Sequence, residues 1–95
     1  MSGYNSLASD SFPLLVVEDD AVNRRMLEKI LPKNGRKVIT ASNGQEALDL
    51  LEKTFFPIVI TDWMMPELDG LELCRRIRAM EWPGYIFIIL LTARG

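Results

Sequence analysis

Short apolar runs alternate with amphipathic stretches along the chain, and this alternation predicts its secondary structure. Leu14–Val17 consists of four apolar residues, too few for a helix, and predicts a buried strand. A second, weaker strand is predicted at 37–40. A third strand contains the apolar residues 58–60 and ends at Asp62, and an entirely apolar fourth strand is predicted at 86–91. Strands that alternate with helical patterns are typical of βαβ units around a parallel sheet.

Three amphipathic helices are predicted between these strands. The first ends before Pro32, and its apolar residues at helical spacing are Val22, Met26, Leu27, Ile30 and Leu31. The second follows Asn43-Gly44 and is predicted to bury Ala47, Leu48, Leu51 and Phe55. The third is predicted to bury Leu71, Cys74, Ile77 and Met80. Asp20 and Asp69 are expected to cap helices, Cys74 to be an inert core residue, and Trp82 to be an exposed or edge residue.

Composition narrows the function classes. A chain of 95 residues fits one small domain, and 11 basic against 13 acidic residues argue against a nucleic-acid surface. No apolar run reaches the roughly 18 residues of a membrane span. A single cysteine and the absence of histidine exclude zinc sites and histidine-based triads, and favour a cytoplasmic setting. Residues 1–11 are polar and are expected to form a flexible tail before a domain at 12–95.

Acidic residues follow the predicted strands. Glu18, Asp19 and Asp20 come after the first strand, Asp62 ends the third, and Thr92 follows the fourth. Ligands of an open parallel sheet bind beyond the carboxyl ends of its strands, so three carboxylates and a hydroxyl are expected to converge there. Clustered carboxylates repel one another, and a divalent cation such as Mg²⁺ relieves that repulsion. A carboxylate beside such a metal is able to act as a nucleophile and form an aspartyl phosphate.

Three segments resemble the response-regulator receiver domain. Val-Val-Glu-Asp-Asp at 16–20 resembles its acidic-pair segment, and 60–70, with Asp, then Met-Pro, then Asp-Gly, resembles its phosphorylation-site motif. Ile-Ile-Leu-Leu-Thr-Ala at 88–93 resembles its fourth strand and switch hydroxyl. The three segments occur in the family's order and spacing. The resemblance implies a flavodoxin-like doubly wound parallel sheet with strand order 2-1-3-4-5.

The resemblance also implies roles for single residues. Asp62 would be the phosphoacceptor, and Thr92 would bind the phosphoryl group and shift on phosphorylation. Asp19 and Asp62 would bind Mg²⁺ directly, Glu18 would do so through water, and the backbone carbonyl of Met64 would complete the ligands. The phosphoryl donor would be a sensor histidine kinase or a small phosphodonor. Such a domain catalyses its own phosphorylation and turns over no external substrate, so the chain is expected not to be an enzyme.

One part of the family pattern has no counterpart in the 95 residues. The family's fifth strand, with an active-site lysine and an aromatic switch residue, and its final helix are missing. We therefore expect a truncated receiver fold of four strands and three helices in which phosphorylation is impaired. The apolar fourth strand would be a sheet edge, which predicts a homodimer or higher oligomer through that strand, or an exchange of elements between two copies.

Two alternative functions come from other classes. The chain could be a structural or interaction module, a truncated receiver fold that dimerises through the fourth strand without phosphotransfer. A phosphatase with an aspartyl nucleophile is disfavoured, because such sites usually have a second Asp two residues on, where this chain has Met64.

Overall fold

The computed structural model describes residues 12–31, 36–65 and 68–91. The strands are β1 (Leu14–Val17), β2 (Val38–Ala41), β3 (Ile58–Asp62) and β4 (Phe87–Leu91), and the helices are α1 (Ala21–Ile30), α2 (Gly44–Lys53) and α3 (Gly70–Arg78). The strands form one sheet in the order β2-β1-β3-β4, and every pairing is parallel. This confirms the predicted α/β class and the first four places of the predicted strand order. The tail predicted at 1–11 lies outside the described residues.

Two strands, β2 and β4, differ by one residue from their predicted bounds. β2 extends to Ala41, because Ala41 pairs with Val17 at the end of β1. Lys37, predicted as its first residue, contributes only its carbonyl oxygen, which accepts from the Leu14 N–H at 2.9 Å. β4 begins at Phe87, and the preceding Ile86 is buried in the core.

Side-chain caps determine where the three helices begin. Asp20 accepts a hydrogen bond from the Asn23 N–H at 3.0 Å, which confirms its predicted role as the cap of α1. Asp69 accepts from the Glu72 N–H at 2.9 Å and caps α3, also as predicted. Asn43 caps α2 in the same way. Each cap satisfies an otherwise unpaired N–H, a contribution of about 1 kcal/mol.

The strand order determines which side of the sheet each helix covers. β1 connects to β2 in one direction along the sheet, whereas β2 to β3 and β3 to β4 run in the other. Since parallel crossovers are right-handed, this reversal places α1 on one face and α2 with α3 on the other. The reversal occurs between β1 and β3, which is where an open α/β sheet forms its ligand crevice.

The main core lies between the sheet and the α2–α3 face. Its central residues are fully buried or nearly so: Leu15, Val17, Ala47, Leu51, Phe56, Val59, Leu73, Ile77 and Ile86. Each buried valine, leucine, isoleucine or phenylalanine side chain contributes about 1.5–3 kcal/mol through its removal from water. The prediction for α2 is confirmed at Ala47, Leu48 and Leu51, which are buried. Phe55 instead follows the end of α2, where its half-buried ring contacts Phe12 edge to face.

The prediction of which face of α3 is buried was wrong. The buried face is rotated about the helix axis relative to the predicted one. Leu73 and Ile77 are buried, whereas Leu71 and Met80 are exposed and Cys74 is only partly buried. The buried side of the helix carries Gly70 together with Leu73 and Ile77. The Gly70 backbone lies so close to the end of β3 that a Cβ there would come within 2.5 Å of the Asp62 carbonyl oxygen.

The prediction that Trp82 is an exposed or edge residue was also wrong. Trp82 is half-buried against the core, and its Nε1–H donates to the Ile77 carbonyl at 2.9 Å. It therefore satisfies one of the carbonyls that the end of α3 leaves unpaired.

The opposite face of the sheet is only partly covered. α1 lies over β1 and β2, and no residue of this helix is buried. Val22, Met26 and Ile30 on α1 are each more than half exposed. On β4, Phe87 is 61% exposed, Ile89 47% and Leu91 39%, because alternate residues of this strand point to the same side. We call these six residues the open apolar face.

None of the helices in residues 12–31, 36–65 and 68–91 is long and apolar enough to cross a membrane.

Candidate functional site

Three carboxylates meet at the carboxyl ends of β1 and β3. Glu18 and Asp19 follow β1 directly, and Asp62 is the last residue of β3. The two strands are neighbours, with Val17 paired to Thr61. One carboxylate oxygen from each of the three acids lies within 4.8 Å of the others. The structure therefore brings together the three acidic side chains that were predicted to meet at this edge of the sheet.

The environment of Glu18 makes this cluster electrostatically unfavourable without a cation. Glu18 is only 6% exposed, Asp62 is partly buried and Asp19 is exposed. Burial raises the pKa of Glu18, and the neighbouring charges of Asp62 and Asp19 raise it further, whereas a hydrogen bond from the Asp20 N–H opposes this. That N–H donates to Glu18 Oε2 at 3.1 Å. A bound cation would remove both the repulsion and part of the desolvation cost.

The donor set fits a hard divalent cation. The cluster offers only carboxylate oxygens, and Mg²⁺ is bound by one or two carboxylates together with waters. One of the three acids is buried, and the other two are more accessible to solvent.

The loop after β3 lies beside the cluster. Trp63, Met64, Met65 and Asp69 line an open cleft of about 420 Å³. The side chain of Met64 is largely exposed. Thr92, predicted as the switch hydroxyl, lies outside the described residues.

Backbone hydrogen bonds hold Asp62 in place from two sides. The Trp63 N–H donates to the Leu91 carbonyl at 2.8 Å, which ties the end of β3 to β4. The Gly70 N–H donates to the Trp63 carbonyl at 2.9 Å, which ties it to the first turn of α3. Asp62 therefore projects from backbone that two neighbouring elements fix.

The sequence argument missed Arg24, because it found no basic residue within the acidic segments themselves. Arg24 lies in the second turn of α1, and its Nη1 donates to the carbonyl oxygens of Glu18 at 2.9 Å and Asp19 at 3.1 Å. A signal was present in the sequence. A basic residue four positions after the N-cap Asp20 is placed so that a long side chain is able to reach back to the preceding loop.

The fold and the site together define a class of protein, the doubly wound α/β domain with an acidic crevice at its switch point. Residues 14–95 match the family described as the response regulator receiver domain. The chain belongs to that family.

The relatives agree with this assignment. The chain is 46% identical over 82 residues to a probable transcriptional regulator, ycf27, of Porphyra purpurea, which covers 86% of this chain and 32% of the relative. The chain thus spans about a third of the length of the curated relatives it matches.

Solved structures share the fold. The response regulator TrrA from Thermotoga maritima, solved in complex with Mg²⁺–BeF, is 37% identical with a TM-score of 0.78, over 88% of this chain and 71% of that one. The receiver domain of a Saccharomyces cerevisiae response regulator, co-crystallised with a histidine phosphotransfer protein, is 26% identical with a TM-score of 0.75, over 88% of this chain and 65% of that chain.

Proposed function

We propose that this chain is a phosphoacceptor in two-component signalling and that Asp62 accepts the phosphoryl group. The observation that carries the proposal is the meeting of Glu18, Asp19 and Asp62 within 4.8 Å at the switch point of the sheet. Membership of the receiver family and the likeness to a protein solved with Mg²⁺–BeF support it.

The proposed chemistry needs few groups. A carboxylate oxygen of Asp62 attacks the phosphorus of a phosphohistidine or of acetyl phosphate, a P–O bond forms, and the bond to the histidine nitrogen or to acetate breaks. Asp19 and Asp62 would hold Mg²⁺ directly, Glu18 through water, and the Met64 carbonyl would complete the protein ligands. The bound ion supplies charge compensation for the phosphoryl oxygens. Thr92 remains our proposed switch hydroxyl.

The proposal also includes the phosphoryl donor, the absence of substrate turnover and the location of the chain. The donor is a sensor histidine kinase, a phosphotransfer protein or a small phosphodonor, as the co-crystallised yeast receiver domain suggests. The chain turns over no external substrate, and a cytoplasmic location belongs to the same proposal.

The experiment that tests the metal site uses the two tryptophans. Trp63 is 43% exposed and adjacent to Asp62, so Mg²⁺ binding is expected to change its fluorescence in the millimolar range or below. Trp82→Phe keeps this response, whereas Trp63→Phe abolishes it. A flat titration of the folded protein to tens of millimolar Mg²⁺ would show that the proposed site binds no metal.

A second function is favoured by one observation, the exposure of β4. This strand is an edge of the described sheet, carries five apolar residues and no charge, and turns three of them into the open apolar face. Such an edge is a template for pairing with another chain. We propose that two copies of the 95-residue polypeptide associate through β4, by edge pairing or by exchange of elements, and this association is the alternative to phosphotransfer as the chain's role.

Light scattering tests this association. We expect the polypeptide to be a dimer or larger at micromolar concentration, and Ile89→Lys to weaken the association at least about tenfold, because a charge at an edge opposes pairing. Met80→Lys, the control, adds the same charge at an exposed apolar site after α3. We expect it to leave the mass of the assembly, as measured by light scattering, unchanged. A monomer across the whole micromolar range would contradict the proposal.

A further inference from the structure

Arg24 connects α1 to the acidic loop that follows β1. It belongs to α1, and both of its hydrogen bonds to the acidic loop come from the same atom, Nη1, which donates to the Glu18 and Asp19 carbonyls at 2.9 Å and 3.1 Å. These are the backbone carbonyls of two of the three acids in the cluster. The loop is further held by the Asp20 N–H, which donates to Glu18 Oε2.

The hydrogen bonds that Arg24 makes to the acidic loop go to backbone oxygens and not to the carboxylates. Outside the loop, hydrogen bonds from the N–H and hydroxyl of Ser42 lower the pKa of Glu46 in the first turn of α2, and the charge of Arg24 lowers it further. Arg24 therefore holds the loop without pairing with the carboxylates that would bind a cation.

We propose that Arg24 is a positioning residue for the metal site: by binding two consecutive carbonyls, it fixes the backbone from which Glu18 and Asp19 project towards Asp62. The inference rests on the proposed metal-binding function and deepens it. Groups that orient metal ligands typically change metal affinity by 10–100-fold when they are removed.

The matched control is Arg25. It is the next residue of α1, is exposed, and carries the same charge at nearly the same distance along the chain from the acidic loop. Arg24→Ala and Arg25→Ala therefore remove equal charge, and only the first removes the two loop hydrogen bonds. We expect Arg24→Ala to raise the Mg²⁺ concentration at half-maximal Trp63 response about tenfold or more. Arg25→Ala is expected to change it less than about threefold, since an exposed charge is screened.

A conservative variant and a metal-free measurement separate positioning from folding. Both loop bonds come from one nitrogen, so the ammonium of Arg24→Lys is able to replace part of them, and this variant is expected to lie between wild type and Arg24→Ala. Hydrogen exchange without metal reports the loop directly. The Asp20 amide is expected to lose protection in Arg24→Ala, and to keep it in Arg25→Ala, while amides of β1 and β3 stay protected in both.

The outcomes distinguish the two proposals. If wild-type protein gives no Mg²⁺ response, the metal-binding function fails, and the exchange of the Asp20 amide still decides whether Arg24 holds the loop. If wild type responds but Arg24→Ala and Arg25→Ala shift the titration equally, the positioning role is overturned and the metal site stands. Equal protection of the Asp20 amide in both alanine variants also overturns it. If Arg24→Ala does not fold, Arg24→Lys supplies both comparisons.

Discussion

A chain in which Asp62 is replaced by asparagine is expected to gain no phosphoryl group from acetyl phosphate and Mg²⁺. The amide of asparagine has no anionic oxygen to attack phosphorus, so the phosphoryl group of acetyl phosphate has no acceptor. The same substitution removes one of the three carboxylates of the cluster, so Mg²⁺ binding is expected to weaken as well. Intact-protein mass spectrometry measures the first effect, and the Trp63 titration measures the second.

Asp69→Asn is the matched control for this substitution. Asp69 allows the same chemical change in the cleft that Trp63, Met64 and Met65 also line, and it acts as the N-cap of α3. Since asparagine caps helices about as well as aspartate, the variant keeps the fold. It is expected to be phosphorylated like wild type. Phosphorylation of Asp62→Asn, or its loss in Asp69→Asn, would assign the acceptor to another residue.

Replacing Glu18 by glutamine is expected to stabilise the metal-free protein at neutral pH and to reduce its Mg²⁺ affinity on the order of tenfold or more. Burial, followed by the charges of Asp62 and Asp19, raises the pKa of Glu18 in the folded state. The folded protein therefore holds this proton more tightly than the unfolded chain does. As pH rises from the unfolded value of 4.5 through the raised folded pKa, the free energy of unfolding falls.

Urea unfolding at a series of pH values measures this effect. In wild type without Mg²⁺, the contribution of Glu18 makes stability decrease across that window, and saturating Mg²⁺ is expected to restore it through binding to the folded state. Glu18→Gln removes the decrease, and because it weakens Mg²⁺ binding, a higher Mg²⁺ concentration is needed for the same stabilisation. Glu46→Gln is a useful contrast, because the lowered pKa of Glu46 stabilises the fold above 4.5 and that contribution is lost as pH falls through the folded pKa. Identical pH profiles for Glu18→Gln and wild type would refute the account.

The sequence was sufficient for features that depend on local pattern and on the ends of strands. β1 and β3 were predicted from short apolar runs, and Asp20 and Asp69 as caps from their position before helical patterns. The meeting of Glu18, Asp19 and Asp62 followed because carboxyl ends of parallel strands share one edge.

The errors arose where a contact between distant segments decides the outcome. Leu71-Cys74-Ile77 and Leu73-Ile77 both fit helical spacing, and the second set is the one on the same buried side as Gly70, whose backbone lies close to β3. Trp82 follows a helix in a Pro-Gly segment that reads as surface, yet the Ile77 carbonyl supplies its partner. Arg24 was overlooked because its partners are backbone oxygens, so its position four residues after the N-cap Asp20 was the sequence signal for this contact.

The contact between Gly70 and the end of β3 also has a mechanical consequence. A Cβ at position 70 would be 2.5 Å from the Asp62 carbonyl oxygen, and the Gly70 N–H already donates to the Trp63 carbonyl. There is no compressible side chain between the two backbones. The first turn of α3 and the segment that carries Asp62 are therefore in direct backbone contact. A displacement of either segment is expected to displace the other.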